Sequence, residues 1–94
     1  MERYSIVYQY HAVERMALRG IQEEEIEHIL RTGEVIAVYA DDTPYPSELL
    51  LGWSRARPLH VVVATDITNH RKIIITTYQP DPRQWEADFK RRKR

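Results

Sequence analysis

His11, Arg15 and Arg19 recur at steps of four in the string HAVERMALR. Such steps advance about 40° each on a helix, so one imidazole and two guanidiniums line a single face. Guanidiniums grip the non-bridging oxygens of a phosphate through paired N–H donors. An imidazole moves protons near neutral pH. The stripe is therefore competent for chemistry on a phosphodiester. The same spacing also suits a solvated helix face, with Glu14 and the acids of the next segment pairing the arginines. Two further groups could act as a second acid or base. His60 opens a run otherwise made of Leu and Val, and Tyr78 closes the β-rich run RKIIITTY. Each suits packing at a sheet edge equally well.

Other residue types narrow the chemistry. The chain has no cysteine, which removes disulfides, a thiolate nucleophile and Cys-built zinc sites. Its four histidines show no His-x-x-x-His pair, and its three glycines are isolated, so neither a metal-ligand pattern nor a phosphate-cradling loop is written in it. No metal and no cofactor are expected. Fourteen Lys and Arg balance fourteen Asp and Glu, but residues 90–94 read KRRKR and carry +5. The remaining residues, 1–89, therefore carry −5. The basic end reads as a sequence-independent hook for nucleic acid or as a solubilising terminus. Tyr45, held between Pro44 and Pro46, is displayed on a loop. Trp85 is expected to pack down, with nucleobase stacking as the alternative.

The elements that must position these groups follow from periodicity. Arg3–Gln9 alternates as a short strand. Helical spacing of Val13, Met16 and Ala17 predicts a helix over about 10–19, which Gly20 stops. Ile26, Ile29 and Leu30 predict a second over about 22–32, with Glu23–Glu25 at its positive end. Four strand-length runs follow (34–40, 47–53, 59–65 and 71–78), separated by turn-rich links, and the last three should form an antiparallel meander. Asp81-Pro82-x-Gln84 reads as a helix start, with Trp85 and Phe89 as the stripe of a short C-terminal helix. The expected fold is α+β: two N-terminal helices on a twisted antiparallel sheet, as one domain over 1–89 with a basic tail over 90–94. At 94 residues with 43% apolar composition, such a domain is large enough to fold without staples. No apolar run approaches a membrane span and the N-terminus lacks a signal-peptide core, so a cytoplasmic protein with no membrane contact is expected.

The string His11-Ala12-x-x-Arg15-Met16-x-x-Arg19-Gly20-Ile21 resembles a bacterial domain-of-unknown-function family. So do Gly33-Glu34-Val35-Ile36, Arg57-Pro58-Leu59-His60-Val61-Val62 and Thr76-x-Tyr78-x-Pro80. The resemblance spans residues 6 to about 89. That family is similar to the RelE/BrnT/MqsR-like toxins of type II toxin–antitoxin systems. The resemblance implies a RelE-like α+β fold and metal-independent endoribonuclease activity on mRNA, either free or on the ribosome. It also implies a cognate antitoxin partner of the MqsA kind, with a zinc-binding part and a helix-turn-helix. The candidate catalytic residues are then His11, Arg15, Arg19, His60 and Tyr78. The candidate RNA contacts are Tyr45, Arg71, Arg83, Lys90, Arg91 and Arg92. A non-catalytic module that binds RNA or an acidic protein partner is the alternative, as is an inactive homologue that still binds an antitoxin.

Overall fold

The computed structural model describes residues 3–94. Met1 and Glu2, which belong to the expected 1–89 domain, lie outside the described residues. The chain runs through β1 (Ser5–Tyr8), α1 (Tyr10–Arg19), α2 (Glu23–Thr32), β2 (Glu34–Tyr39), β3 (Ser47–Ser54), β4 (Arg57–Asp66) and β5 (Arg71–Tyr78). Each falls within two residues of its predicted bounds. Two helices pack on a five-stranded sheet of order β1-β5-β4-β3-β2, an α+β arrangement. No helix among the described residues is long and apolar enough to cross a membrane.

From β3 to β5 the sheet is the expected antiparallel meander, and β2 extends it by pairing antiparallel with β3. It is not antiparallel throughout, because β1 pairs in parallel with β5. Parallel neighbours need a long crossover, and here two helices and three strands supply it. β1 pairs with only the first half of β5, Arg71–Ile74. After the Gln9 N–H bonds the Ile74 carbonyl at 3.1 Å, the chain turns outward into α1. The second half of β5 is left facing α1, and a cleft opens there.

Leu59, Val61 and Val63 point to the helix-covered face, where they meet Leu50, Ile74, Ala12, Met16, Ile26 and Ile29 in one buried cluster. Each such aliphatic side chain contributes about 1.5–3 kcal/mol through burial. Gly20, at φ 63°, ends α1 in the left-handed conformation that glycine adopts without strain. Gly52 matters for space instead, since a Cβ there would run into the Ile29 side chain. Glu25 fastens the start of α2. Its carboxylate accepts from the Gln22 N–H at 2.9 Å, the Ser54 hydroxyl at 2.6 Å and the Arg57 guanidinium at 3.1 Å. Arg57 also donates to the carbonyls of Arg19 and Gly20. One acid thus ties the junction of α1 and α2 to the β3–β4 hairpin.

Two expectations fail locally. Strict alternation along β5 puts Tyr78 on one face with Ile74 and Thr76, but Ile75 is an extra residue in the ladder: Val62 pairs with Thr76 while Val63 pairs with Ile74. This bulge turns Ile74 and Thr77 to the helix side and leaves Thr76 and Tyr78 on the far face with Val62 and His60. The C-terminal helix is also absent. Asp81 does open a turn, its carbonyl accepting from the N–H groups of Gln84 and Trp85. The turn then breaks, because Trp85 is drawn down onto His60 with ring centroids 4.5 Å apart. Glu86 N–H instead bonds Arg91 O at 2.8 Å, Lys93 N–H bonds Gln84 O at 2.9 Å, and Trp85 bridges to Arg92. The segment is an irregular hairpin across the far face, and burying an indole outweighs the few tenths of a kcal/mol that helix propensity offers.

Candidate functional site

α1 turns Ala12 and Met16 into the core, leaving His11, Arg15 and Arg19 along the stripe beside it. That stripe faces the unpaired half of β5, and the C-terminal hairpin closes the third side. The result is a cleft of about 400 Å³, lined by His11, Arg15 and Arg19 from α1, Thr76 to Gln79 from β5, and Asp81, Gln84, Trp85 and Arg92 from the hairpin. Arg15 Nε donates to His11 Nε2 over a long 3.4 Å, so that imidazole nitrogen presents a lone pair. Among the described residues no carboxylate pairs with Arg15, Arg19 or Arg92. The one acid in the wall, Asp81, is held by Arg83 at 3.2 Å, and the same Arg83 contacts, backbone N–H first, keep its carboxyl below the usual range. Three guanidiniums against one already paired carboxylate make the cleft electropositive.

His60 does not line this cleft. It is fully buried behind Tyr78 and Trp85. Its Nε2 lies 2.8 Å from the Phe89 carbonyl, which only accepts, so Nε2 carries the proton; Nδ1 then accepts from the Tyr78 hydroxyl at 3.3 Å. Desolvation lowers the pKa of this imidazole, outweighing the Phe89 contact that raises it. Burial likewise raises that of Tyr78. His60 therefore holds Tyr78 and the hairpin in place, and Tyr78 alone of the two reaches the cleft wall.

The expected RNA contacts scatter. Arg71 lies at the opposite end of β5, bound to the buried Asp66 at 2.8 Å. Asp66 also accepts from the Asn69 side chain and backbone, and the Tyr45 phenol joins the same cluster. Asn69 first, then Arg71, depress the Asp66 pKa well below its ordinary value. Tyr45 and Arg71 thus close the β4–β5 turn, far from His11. Arg83 pairs with Asp81 and is otherwise exposed to water. Lys90 pairs with Glu34 at 3.0 Å and Arg91 with Asp88 at 3.3 Å. Arg92 comes back over the Trp85 ring, 5.3 Å from its centroid, and into the cleft. Residues 90–92 are thus folded against the domain. Sequence reasoning missed that Arg92 opposes Arg15 and Arg19, and that Gln79 and Gln84 share their cleft. The usable signal was the Trp85/Phe89 pair, which said that this segment packs.

Among the described residues no three His, Asp or Glu side chains gather as a metal-ligand set. The profile of a family described as a domain of unknown function (DUF4258) matches residues 8–79. Neither a curated protein nor a solved structure matches the chain.

Proposed function

We propose that this chain, which belongs to the DUF4258 family, is a RelE-like, metal-independent endoribonuclease and the toxin of a type II toxin–antitoxin pair. The observation that carries the reading is the cleft in which His11, Arg15 and Arg19 face Arg92 with no free carboxylate. In this reading a phosphodiester sits between the guanidiniums. Arg15 turns from His11 to the phosphate and frees the Nε2 lone pair, which takes the proton of the ribose 2′-hydroxyl as the 2′-oxygen attacks the adjacent phosphorus. Arg15, Arg19 and Arg92 hold the oxygens on which charge builds. The bond to the 5′-oxygen breaks, and Tyr78, turning its O–H from His60 Nδ1 to the cleft, gives that oxygen its proton. His60 is a positioning residue, holding the Tyr78 hydroxyl at 3.3 Å.

Incubation of single-stranded RNA with the protein in EDTA should yield 2′,3′-cyclic phosphate and 5′-hydroxyl ends. Loss of cleavage in EDTA, or 5′-phosphate ends, contradicts the mechanism. Expression without a cognate antitoxin should arrest growth, and Arg15→Ala should relieve the arrest. The second reading, an RNA-binding module without cleavage, is favoured by one observation: the burial of His60 leaves a single imidazole in the cleft. RNA that binds in an Arg15-dependent way and stays intact would select it.

A further inference from the structure

On the far face of the sheet, Trp85 stands over His60 near the middle of the strand order, with Arg92 over its ring. The cleft with His11 lies on the β5 side of this divide. On the β2 side lies a second hollow of about 350 Å³, lined by Tyr39, Ala37, Leu49 and Lys90 and sharing Tyr78, Trp85 and Arg92 with the first. Both volumes fall in the range that holds a small ligand. They adjoin through two aromatic rings and a guanidinium.

The chemistry of the second hollow differs from that of the first. Trp85 is spent in packing, 7% exposed, whereas Tyr39 is 45% exposed. An exposed ring on a folded strand is a platform for a base, because every base has a π-face. Lys90 has the Glu34 carboxylate as partner, but both side chains are open to water (43% and 58% exposed), so this pair is weak and a phosphate can draw the ammonium away. Beyond Tyr39 the sign changes: the next depression is lined by Asp41 and Asp42, which repel a phosphate. The cationic track therefore stops at Tyr39 in that direction, while on the hairpin side it continues from Arg92 to Arg91, Lys93 and Arg94.

We propose that the β2-side hollow is a nucleotide subsite in which Tyr39 stacks a base, so that single-stranded RNA crosses Trp85 and Arg92 from the His11 cleft to Tyr39. This rests on the reading of the first cleft as an RNA site and adds a substrate class: unpaired strands, since a base must leave its duplex to enter the hollow.

Fluorescence anisotropy with labelled RNA, in a His11→Ala background that prevents turnover, tests it. Tyr39→Ala should weaken trinucleotide binding about tenfold, leave mononucleotide binding unchanged, and be rescued by Tyr39→Phe. Lys90→Gln should flatten the salt dependence of trinucleotide binding by about one phosphate contact. Duplex RNA should show no Tyr39 dependence. If Arg15→Ala weakens binding while Tyr39→Ala and Lys90→Gln change nothing, the second subsite is wrong and the first cleft stands. If Arg15→Ala also changes nothing, both fall. Equal Tyr39 dependence for duplex overturns the single-strand assignment.

Discussion

Single residues carry both the chemistry and the vulnerability of this domain. The Tyr8 hydroxyl is buried with no hydrogen-bond partner among the described residues. Desolvation, then the nearby Glu23, Glu27 and Glu24, push its pKa up to about 12. An unpartnered buried hydroxyl costs free energy that a phenyl ring does not, so Tyr8→Phe should leave stability unchanged or raise it by about 1 kcal/mol in urea unfolding. Titration gives a second test. The folded His60 resists protonation while the unfolded imidazole takes a proton near its ordinary value of 6.5. Its contribution to stability is therefore full above that value and falls as pH drops below it. For Glu25, burial raises the pKa, but Ser54, Gln22 and Arg57 together lower it below the ordinary 4.5. That contribution is present above pH 4.5 and is lost as pH falls through the depressed value. Thermal denaturation across pH should show decline beginning in the mildly acid range and steepening below pH 4.5. A His60→Gln variant should lose the first part alone. The types and spacing of His11, Arg15 and Arg19 were legible because a helix turns a period of four into a face. The burial of His60 was not, because what covers it arrives from residues 85–89.

Elements were legible wherever local pattern and tertiary packing agree. Both helices and all five strands follow from apolar periodicity, and Gly20 marks the end of α1 where it was expected. The bulge at Ile75 left no such signature: RKIIITTY alternates no better in one register than another. The C-terminal segment misled because its cap residues do start a turn, and only the pull of Trp85 toward His60 ends it. Gly52 reads as an ordinary strand glycine until α2 is set against β3. Gly52→Ala should then cost about 1–3 kcal/mol in urea unfolding, since Ile29 or the helix must shift to admit the methyl. Unchanged stability would mean that α2 does not sit as closely on β3 as described.

At the scale of the molecule, equal totals of acid and base hide an ordered layout. Acids gather at the start of α2 and around Asp41–Asp42, while Arg15, Arg19 and Arg92 converge from two distant stretches of chain onto one cleft. RNA binding through these three should weaken with salt, with log K falling at a slope of about −2 against log salt, and Arg92→Ala should reduce that slope. A slope near zero would mean that the cleft does not neutralise phosphates. The proposed chemistry is tested most directly by the single-turnover cleavage rate of a single-stranded RNA in EDTA, measured for the unaltered protein and for His11→Ala. Cleavage to a 2′,3′-cyclic phosphate is expected, and His11→Ala should slow it at least about 100-fold while RNA binding persists. Equal rates for the two proteins would contradict that chemistry.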